Sequence, residues 1–198
     1  MKIRRRRLAL CAGLRVALAA LALPACQPAN ANSARPANAS ALEPWEGVDK
    51  ELFDDSIDLA AAGFADPARA AGDPKLRQRA KRAEFILRVR VRSVTIHGTD
   101  TNARYLIALR TLGDPVFGPR PPSDDITLTI TAASPAFGVA RAMDLRFSGR
   151  TVVAILRRFH QANEQALHWH LTADSPEVHD VLRRARLAAD VAERHADP

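Results

Sequence analysis

Residues 85–96 carry the pattern that most restricts the fold of this chain. Between 85 and 91 the apolar side chains occupy the odd positions, Phe85, Leu87, Val89 and Val91. A period of two is typical of a β-strand with one buried face. After Ser93 the apolar residues move to the even positions Val94 and Ile96. This change of parity within one strand predicts a β-bulge near Arg92 and Ser93.

Five more segments have the composition or alternation of strands. They are 104–112, 125–131, 143–147, 151–159 and 166–171. Turn residues in short connections, such as those at 98–102 and 163–165, predict hairpins between most neighbours. The sequence therefore predicts an α+β domain with a small, mainly antiparallel sheet of about six strands. Closure into a small barrel is one form that such a sheet can take.

Helices are predicted on both sides of these strands. Apolar spacing indicates one helix over 48–62, and Asp73 before Pro74 starts a second over 74–83. At the C-terminal side, Ser175 is suited to cap a helix that begins at Pro176, with Glu177 near the positive end of the helix dipole. We expect N-terminal helices, then the sheet, then a closing helix.

Two histidines in the last predicted strand form the most suggestive local pattern. His168 and His170 are two residues apart, so in a strand both imidazoles lie on one face of the sheet, with Trp169 on the other. A third ligand could complete a transition-metal site, and His160 in the preceding strand is the best candidate. The alternative is a solvent-facing polar edge whose imidazoles bind neighbouring groups. The sequence otherwise predicts no cofactor.

Three arginines share one face of the strand at 85–96. Arg88, Arg90 and Arg92 predict a basic stripe that could bind an anionic lipid or an acidic polymer. The alternative is a solvated face whose charges prevent sheets from aggregating.

The net charge of +7 invites a nucleic-acid interpretation, but nearly all of the excess positive charge lies in the first 25 residues. Of the 29 Lys and Arg residues, six lie in 1–25, a segment with no acid, which leaves 23 basic against 22 acidic residues. Residues 1–25 combine a cationic head, an apolar stretch at 16–23 and small residues, the layout of a secretory signal. Export and a nearly neutral mature chain disfavour a nucleic-acid partner, and we expect none.

Leu23-Pro24-Ala25-Cys26 resembles the lipobox of bacterial lipoprotein precursors. The resemblance implies that Cys26 is lipidated and becomes the N-terminus of an outer-membrane lipoprotein facing the periplasm or the cell surface. Cleavage after Ala31 is the alternative. The later part of the chain loosely resembles uncharacterised predicted lipoproteins of GC-rich Gram-negative bacteria, a resemblance that implies no activity.

The domain organisation follows from composition. A signal peptide at 1–25 precedes Cys26 and a flexible tether that reaches residue 46, where large apolar side chains are scarce. Residues 47–198 suit a single domain. No motif of a known catalytic class occurs, so we expect a non-enzymatic binding or structural accessory that is held at the membrane and has an envelope protein or anionic polymer as partner. The alternatives are a metal-dependent envelope enzyme and a binder of anionic surfaces.

Overall fold

The computed structural model describes residues 42–99 and 102–196. The helices are α1 (Gly47–Leu52), α2 (Pro67–Ala71), α3 (Pro74–Arg82), α4 (Ala136–Met143) and α5 (Pro176–Ala196). The strands are β1 (Ser56–Ile57), β2 (Phe85–His97), β3 (Arg104–Thr111), β4 (Asp125–Ile130), β5 (Thr151–Gln161) and β6 (Glu164–Ala173). A 3-10 helix, Asp144–Phe147, follows α4 directly.

All six strands of the described chain belong to one sheet, in the order β1-β6-β5-β2-β3-β4. Only β1 pairs in parallel, with β6, and every other neighbouring pair is antiparallel. The predicted α+β class with a mainly antiparallel sheet, N-terminal helices and a C-terminal helix is confirmed. The sheet is not closed into a barrel.

The predicted bulge in β2 is confirmed. The pairing of β2 with β3 shifts register between Val91 and Ser93, so that Val91 and Val94 both lie in the same core. An extra residue on one strand restores the apolar face after the parity of the sequence changes.

The sheet curls strongly. One cleft is lined by residues of β4 and of β6, although three strands separate these two in the sheet order. The concave face carries Trp169, Leu171 and the odd positions of β2, and α4 packs against it at β1 and β4. We call this the concave core.

The opposite face of β5 and β6 is buried as well. Leu52, Phe53, Phe159 and residues of α3 and α5 form a second cluster there, which we call the helix-side core. Five consecutive residues of β5, 152–156, are buried. A continuous apolar run of this kind is typical of a strand covered on both faces.

Two predicted elements differ from the structure. The helix expected over 48–62 ends at Leu52, because Leu52 and Phe53 turn into the helix-side core and the chain then pairs with β6 as β1. The strand expected over 143–147 is instead the end of α4 and the 3-10 helix. Met143 and Phe147, four residues apart, are both buried, a spacing that suits a helix, and three alternating residues were too few to tell the two apart.

Candidate functional sites

An apolar cleft of about 380 Å³ opens on the concave side of the sheet. Phe85 of β2, Leu156 of β5 and Leu167 of β6 line it from one side, and Ile126 of β4 lines it from the other. Phe85 and Leu156 are directly opposite in the β2–β5 pairing, which sets the two side chains next to each other on one face. A volume of this size is within the range of ligand sites in proteins.

The charged groups at the rim of this cleft are already paired. Arg158 donates from Nε to both carboxylate oxygens of Glu84, at 2.8 and 2.9 Å, and this hydrogen bonding raises the pKa of the guanidinium. Asp125 lies 3.6 Å from Arg110. The lining contains neither histidine nor cysteine among its described residues. The cleft is therefore equipped to bind an apolar group.

His168 and His170 lie together on the helix-side face, as the sequence predicts for residues two apart. They are only 6% and 5% exposed, so the alternative of a solvent-facing polar edge was wrong. The imidazole of His168 contacts the carboxylate of Asp55 through Nδ1, at 3.1 and 3.2 Å, and Gln161 Oε1 through Nε2, at 3.1 Å. Both ring nitrogens of His168 are thus occupied by polar partners.

His170 belongs to a second chain of hydrogen bonds. The Ser56 hydroxyl donates to Asp54, and its oxygen lies 2.8 Å from Nδ1 of His170, which acts as the donor to it. Because the Ser56 proton is held by Asp54, the imidazole does not activate Ser56 as a nucleophile. Burial, and then the positive charge of Arg79, lower the pKa of His170 well below its usual value.

His160 does not join these two imidazoles. Directly opposite residues of β5 and β6 share a face, and His168 is opposite Arg157, three residues before His160. An odd separation along a strand puts His160 on the other face of the sheet. Among the residues that the structure describes, no three His, Cys, Asp or Glu side chains are grouped to hold a metal ion. The structure therefore does not bring His160 together with His168 and His170.

The three arginines of the predicted stripe are exposed on β2. Arg88 donates to Asp174 at 2.8 Å. Burial acts to raise the pKa of the Asp174 carboxyl, and this contact helps to lower it. Arg90 lies directly opposite Arg110 of β3, and Arg92 is at the bulge. Neither Arg90 nor Arg92 forms an ion pair with a residue of the described ranges. The stripe is therefore wider than the sequence indicated, because β3 adds Arg110 to it.

Sequence reasoning missed the apolar cleft and the contribution of Asp54, Asp55 and Ser56 to the histidine environment. The segment 54–58 falls within the helix predicted over 48–62, whereas Ser56 and Ile57 form the edge strand β1 beside β6. The four prolines and two glycines of 113–123 indicate the loop that supplies Pro121, Pro122 and Ser123 to the lining, but no local pattern indicates that β4 and β6 lie on one cleft.

Cys26, the predicted signal peptide at 1–25 and most of the predicted tether lie outside the described residues. In the part of the chain that the structure describes, no helix combines the length and the apolar character needed to cross a membrane. Comparison with known proteins finds no family model, no curated protein and no solved structure that matches this chain.

Proposed function

We propose that this chain is an exported, lipid-anchored protein of the bacterial cell envelope, and that its domain is a non-enzymatic binding module. The lipobox-like residues 23–26 support the anchor, with Cys26 as the modified residue. The observation that carries the binding function is the apolar cleft with its paired rim charges. It has the surface to hold an apolar group, and its charged lining residues Arg158 and Asp125 already have partners within the domain.

Binding of a fluorescent apolar probe tests the cleft. We expect N-phenyl-1-naphthylamine to bind with enhanced fluorescence, and the substitution Leu167→Gln to weaken binding about tenfold by removing apolar contact. The matched control is Leu187→Gln, because Leu187 is 63% exposed on α5 and takes no part in the cleft. Equal affinity of the two variants and the unchanged protein would contradict the assignment.

Mass spectrometry of the mature protein tests the anchor. We expect the chain to begin at Cys26 with a diacylglyceryl group on its thiol, and to be recovered from the outer-membrane fraction. Cys26→Ser removes the modified thiol and should release the protein from that fraction. A mature chain that begins at Asn32 without lipid would show that ordinary cleavage after Ala31 takes place instead.

A second function, the binding of an anionic surface, is favoured by the position of Arg90 opposite Arg110. Arg110 is paired with Asp125 at 3.6 Å, whereas Arg90 opposite it forms no ion pair with a residue of the described ranges, so its charge is available to an anion. We propose that Arg88, Arg90, Arg92 and Arg110 contact lipid phosphate groups when the anchor holds the domain at the membrane.

Vesicles of phosphatidylcholine with and without phosphatidylglycerol test this second function. Arg90→Gln with Arg110→Gln should lower binding to the anionic vesicles at least about tenfold at low salt, and added salt should remove the difference. Lys75→Gln with Arg77→Gln removes the same charge from α3 and serves as the control. If both pairs of substitutions have the same effect, only net charge matters and the stripe has no special role.

A further inference from the structure

The free edge of β4 presents main-chain groups to the cleft. The amide of Thr111 donates to the carbonyl oxygen of Asp124 at 2.8 Å, so these opposite residues form a hydrogen-bonded pair of the β3–β4 ladder. Hydrogen-bonded pairs recur every second residue, at Ile126 and Leu128. Thr127 and Thr129 therefore direct their N–H and C=O groups away from β3, and the sheet order places no further strand on that side within the described chain.

The outer edge of β6 is only half covered. The amide of Trp169 donates to the Asp55 carboxylate at 3.2 Å, and the carbonyl of Leu171 accepts from the amide of Asp58 at 2.8 Å. The odd residues of β6 thus point their main-chain groups away from β5. Gln165 and Leu167 have the same parity, but β1 pairs only with residues 170 and 171, so in the described ranges no strand lies beside them.

The cleft lies between these two edges. Its lining includes Thr127 from the free edge of β4, and Gln165 and Leu167 from the uncovered half of β6. Since β4, β2 and β6 all run antiparallel to the strands between them, β4 and β6 point in the same direction. One added strand could therefore run antiparallel to both.

We propose that the ligand of the cleft is an extended peptide segment with apolar side chains at alternate positions, which inserts between β4 and β6 as an additional strand. Its main-chain groups would pair alternately with Thr127 and Thr129 on one side and with Gln165 and Leu167 on the other. Its apolar side chains would contact Phe85 and Leu156 on the concave face. This inference rests on the proposed function, because it names the ligand class of the same cleft.

A free peptide fits this place better than a second copy of the chain does. In a second copy, one side of β4 is already paired with β3, so that strand has a single free edge to offer. It could satisfy either edge of the cleft but not both. A peptide segment with no partners of its own has N–H and C=O groups available on both sides.

The test uses the full chain in detergent and a synthetic peptide of about six residues that alternates valine and threonine, with both ends blocked. Two matched control peptides keep the same side chains but carry N-methyl groups, on the odd residues in one and on the even residues in the other. We expect the parent peptide to displace N-phenyl-1-naphthylamine, and each N-methylated peptide to bind at least about tenfold more weakly, because each loses its hydrogen bonds to one edge. Hydrogen exchange of the amides of Thr127, Thr129, Gln165 and Leu167 should slow when the parent peptide binds.

The remaining outcomes overturn the inference in distinguishable ways. If the apolar probe binds and the parent peptide does not displace it, the inserted strand is excluded while the proposed binding function stands. If neither binds, both proposals fail. If only one N-methylated peptide loses affinity, the peptide pairs with a single edge and the insertion is wrong. Slow exchange of the same four amides without peptide, together with a dimer in light scattering, would assign the edges to a second copy.

Discussion

The indole ring of Trp45 lies flat on the imidazole of His168, with ring centroids 3.7 Å apart and planes 5° from parallel. Trp45 also donates from Nε1 to the carbonyl oxygen of Phe53 at 3.0 Å, and nearby Glu43 accepts from Arg157 at 2.7 Å. The last residues of the predicted tether therefore pack against the domain, and the point where the chain leaves it is held beside β5 and β6.

We expect Trp45→Ala to lower the free energy of unfolding by about 2 kcal/mol, because it removes the stack on His168 and exposes apolar surface of the helix-side core. Trp45→Phe keeps an aromatic ring but loses the bond to Phe53, and should lose about 1 kcal/mol. Urea denaturation followed by circular dichroism measures both. Equal losses would show that the ring stack contributes nothing.

The buried guanidinium of Arg79 joins three parts of the N-terminal region. Its Nε donates to the Leu52 carbonyl at 2.6 Å, Nη1 donates to Asp73 at 3.2 Å, and Nη2 lies 3.8 Å from Asp54. Burial lowers the pKa of Arg79, but these carboxylates favour the charged form. We expect Arg79→Leu to lose about 3–5 kcal/mol of stability in urea denaturation, since buried acceptors are left without a donor.

Arg82→Leu is the control for this prediction. Arg82 is on the same helix and donates to Asp49 at 3.0 Å, but its side chain is 46% exposed. A partly solvated ion pair contributes little, so we expect a loss below about 1 kcal/mol. Similar losses for the two variants would mean that the buried contacts of Arg79 stabilise the domain no more than the partly exposed ion pair of Arg82 does.

The stability of the domain should fall as pH drops below about 6.5, the usual pKa of histidine. His170 has a pKa well below that value when folded, so in this range the unfolded chain binds a proton that the folded chain does not. Stability then rises with pH, by at most about 1.4 kcal/mol per unit for one group, and the loss ends once pH falls below the folded pKa. His170→Asn should flatten the stability profile between pH 5 and 6.5; an unchanged slope would contradict this origin.

Gly118 occupies a position where a side chain has no room. Its φ is +88°, and a Cβ there would overlap with the carbonyl oxygen of Glu84. We expect Gly118→Ala to lose more than about 3 kcal/mol, because backbone strain and overlap with another backbone segment act together. Gly113, with φ +71° and open space around it, is the matched control, and Gly113→Ala should lose only about 1 kcal/mol. Urea denaturation compares them, and equal losses would be evidence against the overlap.

Purified protein should contain no stoichiometric transition metal through His160, His168 and His170, because the three imidazoles do not converge. Elemental analysis after incubation with zinc and gel filtration measures this, with His168→Ala/His170→Ala as the comparison. One zinc per chain that disappears in the double variant would restore the metal-dependent alternative.

The strands that could be predicted are those whose pattern is local. The alternation in β2 and β4, the bulge after Val91, and the hairpin of β5 and β6 depend on side-chain period and turn residues within a few positions. The N-cap of α5 is equally local, and Ser175 accepts from the amide of Val178 as expected. The two-residue strand β1 has too few residues for a period, so the sequence predicts a helix there instead.

The sequence by itself determined the order of the main elements, the α+β class, and that His168 and His170 share a face. Only the tertiary structure decided that this face is buried. Asp55, which contacts His168, is 113 residues away from it in the sequence, and the residues that cover the face come from α1, α3 and α5. The existence of the cleft was likewise decided only by the tertiary structure. Whether the edges of β4 and β6 lie on one cleft depends on how far the sheet curls, and that is the sum of the twist of every strand between them and of the bend at the bulge in β2, which no single segment of the sequence fixes.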